Sequence, residues 1–103
     1  MKSKLQTSWG FDGVIVSTNN YAAKIILIKE GETTPYGHNR KQDKTLFVLQ
    51  GIVQLCIEGN EKILREGERY HVRPTIKHSI CALQGDATVF EIGTKLEDDF
   101  VEN

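Results

Sequence analysis

The sequence lacks the features that mark several specialised classes of protein. It has two cysteines and two prolines among 103 residues, and no apolar run approaches the roughly 20 residues of a membrane-spanning helix. Its 13 basic residues nearly balance its 14 acidic residues, which gives no electrostatic reason to expect a nucleic acid or a membrane as partner. Two cysteines are too few for a disulfide framework, so Cys56 and Cys81 are expected as reduced thiols. No apolar stretch follows the N-terminal lysines, so we expect no signal peptide and a cytoplasmic location.

A helical period is absent as well, and the chain consists of short runs rich in β-branched and aromatic residues. Glycine, asparagine, aspartate or proline stands between these runs, where the backbone must reverse. Short strands at this regular spacing are typical of an antiparallel barrel or jelly roll. The length suits one all-β domain over residues 1–103, in which 94–103 form an acidic C-terminal tail. The predicted strands are 13–17, 21–29, 45–50, 52–58, 61–66, 69–73, 78–83 and 87–93.

Alternation within these strands assigns side chains to faces. Val53 and Leu55 share one parity, which predicts that both face the core and that Cys56 points away from it. The same alternation places His71 with its neighbouring arginines on the outer face, so it is expected at the surface rather than in a site.

Strands 21–29 and 87–93 are different, because they are apolar on both parities. A strand of this kind is usually covered on both faces. We expect a second copy of the chain to cover the outer face, in a homodimer.

Two segments share a design in which a turn carrying one histidine stands next to an apolar strand. The first is GETTPYGHNRKQDKTLFVLQG, residues 31–51, and the second is GERYHVRPTIKH, residues 67–78. Their outer glycines, histidines and separation resemble the two motifs of the cupin superfamily, G-x5-H-x-H-x3–4-E-x6-G and G-x5-P-x-G-x2-H. The resemblance implies a cupin jelly-roll β-barrel.

Further elements narrow the resemblance. The stretches SWG, YAAKIILIKEGETT, LREGERYHVRPTIKH and FEIGTKLEDDFVEN occur in the same order as in the C-terminal cupin of type II mannose-6-phosphate isomerases, and they cover nearly the whole chain. That family implies a divalent metal held by histidines and a glutamate. The metal would polarise a sugar carbonyl and its neighbouring hydroxyl while protons move between adjacent carbons.

The ligand positions of the family are only partly matched. His78 falls on the histidine of the second motif and His38 on the first histidine of the first motif. Arg40 then stands at the second histidine position and Lys44 at the glutamate position.

The spacing used by the isomerases places Gly37 and Asn39 on the first two ligand positions instead. His38 and His78 are therefore the best ligands for Zn, Mn, Fe or Ni, but two imidazoles are an incomplete set. An ammonium group ~5 Å from a dication would cost roughly 6 kcal/mol at an effective dielectric of ~20. With Lys44 in that position, we expect the metal to be weakly bound or absent.

The remaining side chains of the two segments suggest how the pocket would bind and react. Cations on both segments suit a phosphate or a carboxylate, and enediol chemistry needs a base as well as an electrophile. The predicted catalytic residues are His38, His78 and Tyr36, with Glu91 as a weaker candidate, and the predicted substrate-binding residues are Arg40, Lys44, Arg73 and Lys77.

Three classes of function remain open from the sequence. The first is a sugar-phosphate isomerase, or a related small-molecule enzyme, of the mannose-6-phosphate isomerase type. The second is a metal-free and catalytically inactive cupin that binds a phosphorylated or acidic carbohydrate. The third is another cupin activity, such as a dioxygenase or a lyase, or a purely structural dimer.

Overall fold

The structure is a computed structural model that describes residues 3–103, with side chains from residue 6 onward. Within that range the chain is all-β and has no helix, which confirms the predicted fold class. The described chain accordingly contains no helix long and apolar enough to cross a membrane. Its strands are β1 (Ser3–Gln6), β2 (Gly10–Ser17), β3 (Tyr21–Ile28), β4 (Gly37–Asn39), β5 (Lys44–Ile57), β6 (Asn60–Leu64), β7 (Arg69–Val72), β8 (His78–Thr94) and β9 (Phe100–Glu102).

Strands β5 and β8 are longer than predicted, because each unites two predicted strands. The pattern predicts a turn at Gly51, but β5 continues through it. Gly51 has a φ of +89°, which favours glycine, and the pairing of β5 with β8 shifts register on both sides of it. β8 likewise continues through the turn predicted at 84–86. These two predicted turns are wrong because a bulge or bend within a strand uses the same residue types as a turn.

The strands form one curled antiparallel sheet, in which β5 and β8 pass through both halves. One half has the order β1-β2-β3-β8-β5-β7, with the C-terminal part of β8 and the N-terminal part of β5. The other half has the order β9-β4-β8-β5-β6 and uses the remaining parts of the two long strands. The sequence pattern gives no sign of β1, β4 and β9, because three or four residues carry too little alternation to stand out.

The inward positions of the sheet change from apolar to polar along each long strand. Strand pairing puts Ile26 opposite Val89 and, two residues along, Lys24 opposite Glu91. The apolar core therefore fills one end of the barrel and charged side chains fill the other. The inward series are Ile28, Ile26 and Lys24 in β3, Val48, Leu46 and Lys44 in β5, Ala87, Val89 and Glu91 in the second half of β8, and Ala82, Ile80 and His78 in its first half.

The predicted faces of two strands are confirmed. Val53 and Leu55 are fully buried, while Cys56 is half-buried and, like Cys81, a free thiol. His71 is exposed, and its Nε2 contacts the Asp43 carboxylate at the surface.

The outer face of the sheet carries an apolar row across three neighbouring strands. Ile25 of β3 pairs with Phe90 of β8, which pairs with Phe47 of β5, and all three are half-buried in the single chain. Leu27 and Ile92, beside this row, are exposed. The homodimer that would cover this face stays a prediction.

Candidate functional site

A cavity of about 510 Å³ lies at the polar end of the barrel. This volume is within the range of small-molecule sites in proteins. Trp9, Ile26, Ile80 and Phe100 give part of its lining an apolar character. The polar side chains of the lining are Thr7, Asp12, Lys24, Thr34, Asn39, Gln42, Lys44, His78, Glu91, Asp98 and Asp99.

His78 is the imidazole of this cavity. It opens β8, where Pro74 and the turn that follows end the preceding segment, and its side chain is buried. Its Nδ1 lies 2.9 Å from the carbonyl oxygen of Ile76. A carbonyl only accepts, so Nδ1 carries the hydrogen and Nε2 holds the free electron pair. Nε2 has no hydrogen-bond partner in the described part of the chain.

The surroundings keep this imidazole neutral. Burial, followed by the positive charge of Lys44, holds the pKa of His78 below its ordinary value of 6.5. The ring meets Phe100 edge-on, with 6.1 Å between the ring centroids. At neutral pH His78 is therefore an uncharged base whose orientation is fixed by the Ile76 carbonyl and by Phe100.

Lys44 and Glu91 form a buried ion pair beside His78. Lys44 Nζ lies 3.5 Å from Glu91 Oε1, and each side chain is only 6% exposed. Burial alone would raise the pKa of Glu91, but the positive charges of Lys44 and Lys24 outweigh burial and hold it below 4.5. The ammonium group also lies 5.9 Å from the centroid of the Phe100 ring. Glu91 and Phe100 thus hold the Lys44 cation next to the imidazole.

A second ion pair continues this charged row. Lys24 Nζ lies 2.9 Å from Asp12 Oδ2, and Lys24 stands directly opposite Glu91 across β3 and β8. Burial would lower the pKa of Lys24, but the negative charges of Glu91 and Asp12 outweigh it and raise the pKa above 10.5. Asp12, Lys24, Glu91 and Lys44 thus form a charged row in which acidic and basic side chains alternate.

The C-terminal segment closes one side of the cavity. Asp99 accepts hydrogen bonds from Asn39 Nδ2 at 3.0 Å and from the backbone N–H groups of Lys41 and Gln42. Burial would raise the pKa of Asp99, but these donors outweigh burial and hold it below 3.8. Strand β9 then pairs with β4 and places the Phe100 ring against His78 and Lys44.

Two acceptor atoms in the lining have no partner. Asn39 is 8% exposed, and its Oδ1 has no hydrogen bond, while Oδ1 of Asp12 is likewise unsatisfied. Buried acceptors are rarely left without a donor. Both residues line the cavity, so a rotation of either side chain would let its oxygen, which is almost fully covered at present, accept from a bound hydrogen-bond donor.

The structure brings together three of the residues predicted for the pocket. His78, Lys44 and the weaker candidate Glu91 line the cavity. The remaining predicted residues are not part of the lining: Tyr36 and His38 are half-buried, and Arg40, Arg73 and Lys77 are exposed. The predicted ring of four cations around a pocket is thus reduced to Lys44.

His38 differs from the prediction for a geometric reason. Its Nδ1 lies 2.8 Å from Asn103 Oδ1, on the side of β4 away from the cavity, and the adjacent Asn39 faces the cavity instead. A bend at residues 40–41 separates β4 from β5. The alternation of inward and outward side chains in β5 does not continue across this bend, so the inward position of Lys44 does not predict the face of His38. The isomerase spacing, which places Gly37 and Asn39 at the ligand positions, is the one that matches the observed faces.

Three charged cavity residues come from strands outside the two histidine motifs: Asp12, Lys24 and Glu91. Each interrupts a run that is otherwise apolar, in GFDGVIVS, YAAKIILI and ATVFEIG. Charged residues are rarely buried unless paired. A charge at an inward position of an apolar strand is therefore the sequence signal that indicates this site.

The lining does not fit the metal that the resemblance implies. Over residues 3–103, no group of three or more His, Cys, Asp or Glu is arranged to hold a metal ion. At Gly37, an added Cβ would lie 2.7 Å from the Phe100 ring and would also collide with the backbone oxygen of Val101. Phe100 thus fills the space of a ligand at 37, and the Lys44 ammonium stands at the glutamate position.

Comparison with known proteins agrees with this fold. The sequence profile of the cupin domain family matches residues 24–94, which include Lys24, Lys44, His78 and Glu91. The chain belongs to the cupin family. No curated protein sequence matches this cupin significantly.

Solved structures share the fold at low sequence identity. KdgF from Halomonas sp. is 20% identical with a TM-score of 0.80, over 86% of this chain and 81% of that protein. The lyase DddQ from Ruegeria pomeroyi, which acts on DMSP, is 16% identical with a TM-score of 0.80, over 89% of this chain and 50% of DddQ. A candidate sugar phosphate isomerase from Acidithiobacillus ferrooxidans is 21% identical with a TM-score of 0.67, over 75% of this chain and 51% of that protein. At these identities the likeness shows the fold alone.

Proposed function

We propose that this cupin is a small-molecule enzyme that moves a proton between adjacent carbons of a carbohydrate, an aldose–ketose type of isomerisation. The observation that carries the proposal is the buried, neutral His78 with a free Nε2 in the same cavity as the Lys44 ammonium. Such chemistry needs a base for a carbon-bound proton and a cation for the charge that develops on the carbonyl oxygen. His78 and Lys44 supply these two groups.

The reaction is balanced without any oxidant or reductant. His78 Nε2 takes the proton from the carbon next to the carbonyl, and the electron pair of that C–H bond forms the enediol double bond. The negative charge passes to the carbonyl oxygen, which Lys44 stabilises and protonates. His78 then delivers its proton to the former carbonyl carbon, while the neutral Lys44 amine takes the hydroxyl proton from the carbon that His78 deprotonated. The oxygen on that carbon becomes the new carbonyl, which gives the isomeric compound and restores both side chains.

Glu91 and Phe100 act as positioning residues in this proposal. Glu91 accepts from Lys44 at 3.5 Å and balances its charge. Since an ammonium group has three donors, Lys44 can contact Glu91 and a substrate oxygen together. A lowered imidazole pKa also suits a general base, because the unprotonated form is then present at neutral pH.

The finer resemblance to mannose-6-phosphate isomerases supports the reaction class rather than a particular substrate. In that family the resemblance implies a metal as the electrophile, whereas here the matched positions offer Asn39, Lys44 and His78. We propose that the fixed cation of Lys44 takes over the electrostatic part of that task.

The second candidate is a cupin that binds a carbohydrate without converting it. Departure from the family ligand set at positions 37, 39 and 44 favours this alternative. Binding without turnover would then be the whole function of the cavity.

The experiment is an NMR assay of untagged, chelator-treated protein in D2O, with mannose, fructose and their 6-phosphates. The spectra report formation of the product sugar, and solvent deuterium enters next to the carbonyl wherever the proton on His78 exchanges with D2O before it is returned. We expect deuterium incorporation by the natural chain and a rate lower by about 10²- to 10⁴-fold in His78→Gln, the usual contribution of a general base. The exposed His71→Gln is the matched control and keeps the full rate.

Three results would contradict the proposal or one of its assignments. Equal rates in His78→Gln and the natural chain would remove His78 as the base. Binding of a sugar by the natural chain with neither product formation nor deuterium incorporation would select the second candidate. If turnover requires added metal, the assignment of Lys44 as the electrophile is wrong.

A further inference from the structure

The charges around the cavity are unbalanced. Four carboxylates line it, from Asp12, Glu91, Asp98 and Asp99, against the two ammonium groups of Lys24 and Lys44. Both ammonium groups are already paired with carboxylates. With His78 neutral, the lining has a formal excess of two negative charges, which opposes the entry of an anion.

The cations that would hold a phosphate lie elsewhere. Arg40, Arg73 and Lys77 are exposed and are not among the residues of the cavity lining. The backbone N–H of Arg40 donates to the carbonyl of Asp99, so this arginine is attached to the rim next to a carboxylate. The described lining has no unpaired cation that could neutralise a phosphate dianion.

The unpartnered atoms indicate the opposite kind of ligand. Asn39 is more than nine-tenths buried, and its Oδ1, like Oδ1 of Asp12, accepts no hydrogen bond. A phosphate offers mainly acceptors, whereas the hydroxyl groups of a sugar offer donors. The indole of Trp9 and the ring of Phe100 supply flat apolar surface for the C–H face of a sugar ring.

We infer that the cavity selects an uncharged polyhydroxy compound of monosaccharide size and discriminates against its phosphorylated form. The inference rests on the proposed function for the reaction, but binding alone tests it. Hydroxyl donors would meet Asn39 and Asp12, and the acidic excess would repel a phosphate.

The test is calorimetric or NMR-detected binding of mannose and fructose against their 6-phosphates. We expect the uncharged sugars to bind at least tenfold more tightly than the phosphates. Binding of the uncharged sugars should also change little with salt, because no charge on the ligand is screened.

The neighbouring carboxylates Asp98 and Glu97 allow a variant inside the lining to be compared with a control outside it. Asp98 lines the cavity, is exposed and has a φ of +52°, which asparagine tolerates well. Asp98→Asn should lower the preference for uncharged sugars about threefold by weakening repulsion of the phosphate. The control Glu97→Gln, at an exposed carboxylate outside the lining, should leave the preference unchanged.

The outcomes separate this inference from the proposed function. Selective binding of uncharged sugars without turnover supports the inference and contradicts the isomerase. Preferred binding or turnover of the 6-phosphates overturns the inference and leaves the isomerase standing. Absence of binding for all four sugars at their highest soluble concentration, or equal effects of the two variants, also overturns it.

Discussion

Replacement of Lys44 by methionine tests whether the charged row is a buried electrostatic unit. Lys44 Nζ lies 3.5 Å from Glu91 Oε1, and two unit charges at this distance attract each other by about 5 kcal/mol at an effective dielectric of about 20. Methionine leaves Glu91 buried with Lys24 as its remaining cation. Loss of one partner of a buried pair typically costs about 3–5 kcal/mol.

The remaining attraction of Lys24 for Glu91 reduces this cost, so we expect Lys44→Met to lower the free energy of unfolding by about 2 kcal/mol. This corresponds to a decrease of roughly 10 °C in Tm for a domain of this size. The assay is urea unfolding followed by circular dichroism, with linear extrapolation to water. The double variant Lys44→Met/Glu91→Gln should recover at least half of the loss, because it removes the unpaired carboxylate as well.

Lys62→Met is the control, because it makes the same change at an exposed position of β6. Equal stability of Lys44→Met and Lys62→Met would contradict the claim that Lys44 and Glu91 are a coupled buried ion pair. That claim would also be refuted if Glu91→Gln made no difference in the Lys44→Met background, since the two charges would then not be coupled.

The acidity of His78, the metal content and the outer face of the sheet can each be tested in solution. Because the pKa of His78 is held below 6.5 in the folded chain, the unfolded chain takes up this proton first on acidification. The free energy of unfolding should therefore begin to fall as the pH drops through 6.5, and His78→Gln should flatten that part of a pH series of urea melts. Elemental analysis of untagged protein should find Zn, Mn, Fe and Ni well below one equivalent, and one equivalent of any of these metals in the natural chain would contradict our assignment of the Lys44 cation. Light scattering of the natural chain should give twice the chain mass of 11.6 kDa. Phe90→Lys on the outer face should give a monomer, whereas the control Leu83→Lys, in the other half of the sheet, should leave the dimer mass unchanged. A monomeric natural chain would refute the dimer.

The sequence was sufficient for the fold because its strands carry strong local signals. Alternation placed Val53 and Leu55 inward, and their burial confirms it. The two wrong turns have one cause, since Gly51 and the residues at 84–86 bend continuous strands rather than end them. A glycine allows the backbone to bend, but hydrogen bonding to the partner strand determines whether the strand continues beyond the bend.

The site was only partly predictable for a similar reason. The spacing of the second motif predicted a pocket position for His78, and the structure places this residue at the start of β8 in the cavity lining. His38 lies before a bend, and one residue of slip exchanges the two faces of β4, which put Asn39 in the cavity. Lys24 and Glu91 come from strands outside the motifs, and only their pairing across β3 and β8 shows that they meet.

The proposed chemistry requires His78 to be a neutral buried base with an unprotonated Nε2. Nitrogen NMR of the histidine rings across a pH series measures the tautomer and the pKa of this residue directly. We expect hydrogen on Nδ1, an unprotonated Nε2 at neutral pH and a midpoint below 6.5. A ring that carries its hydrogen on Nε2, or that titrates above 6.5, would contradict the role proposed for His78.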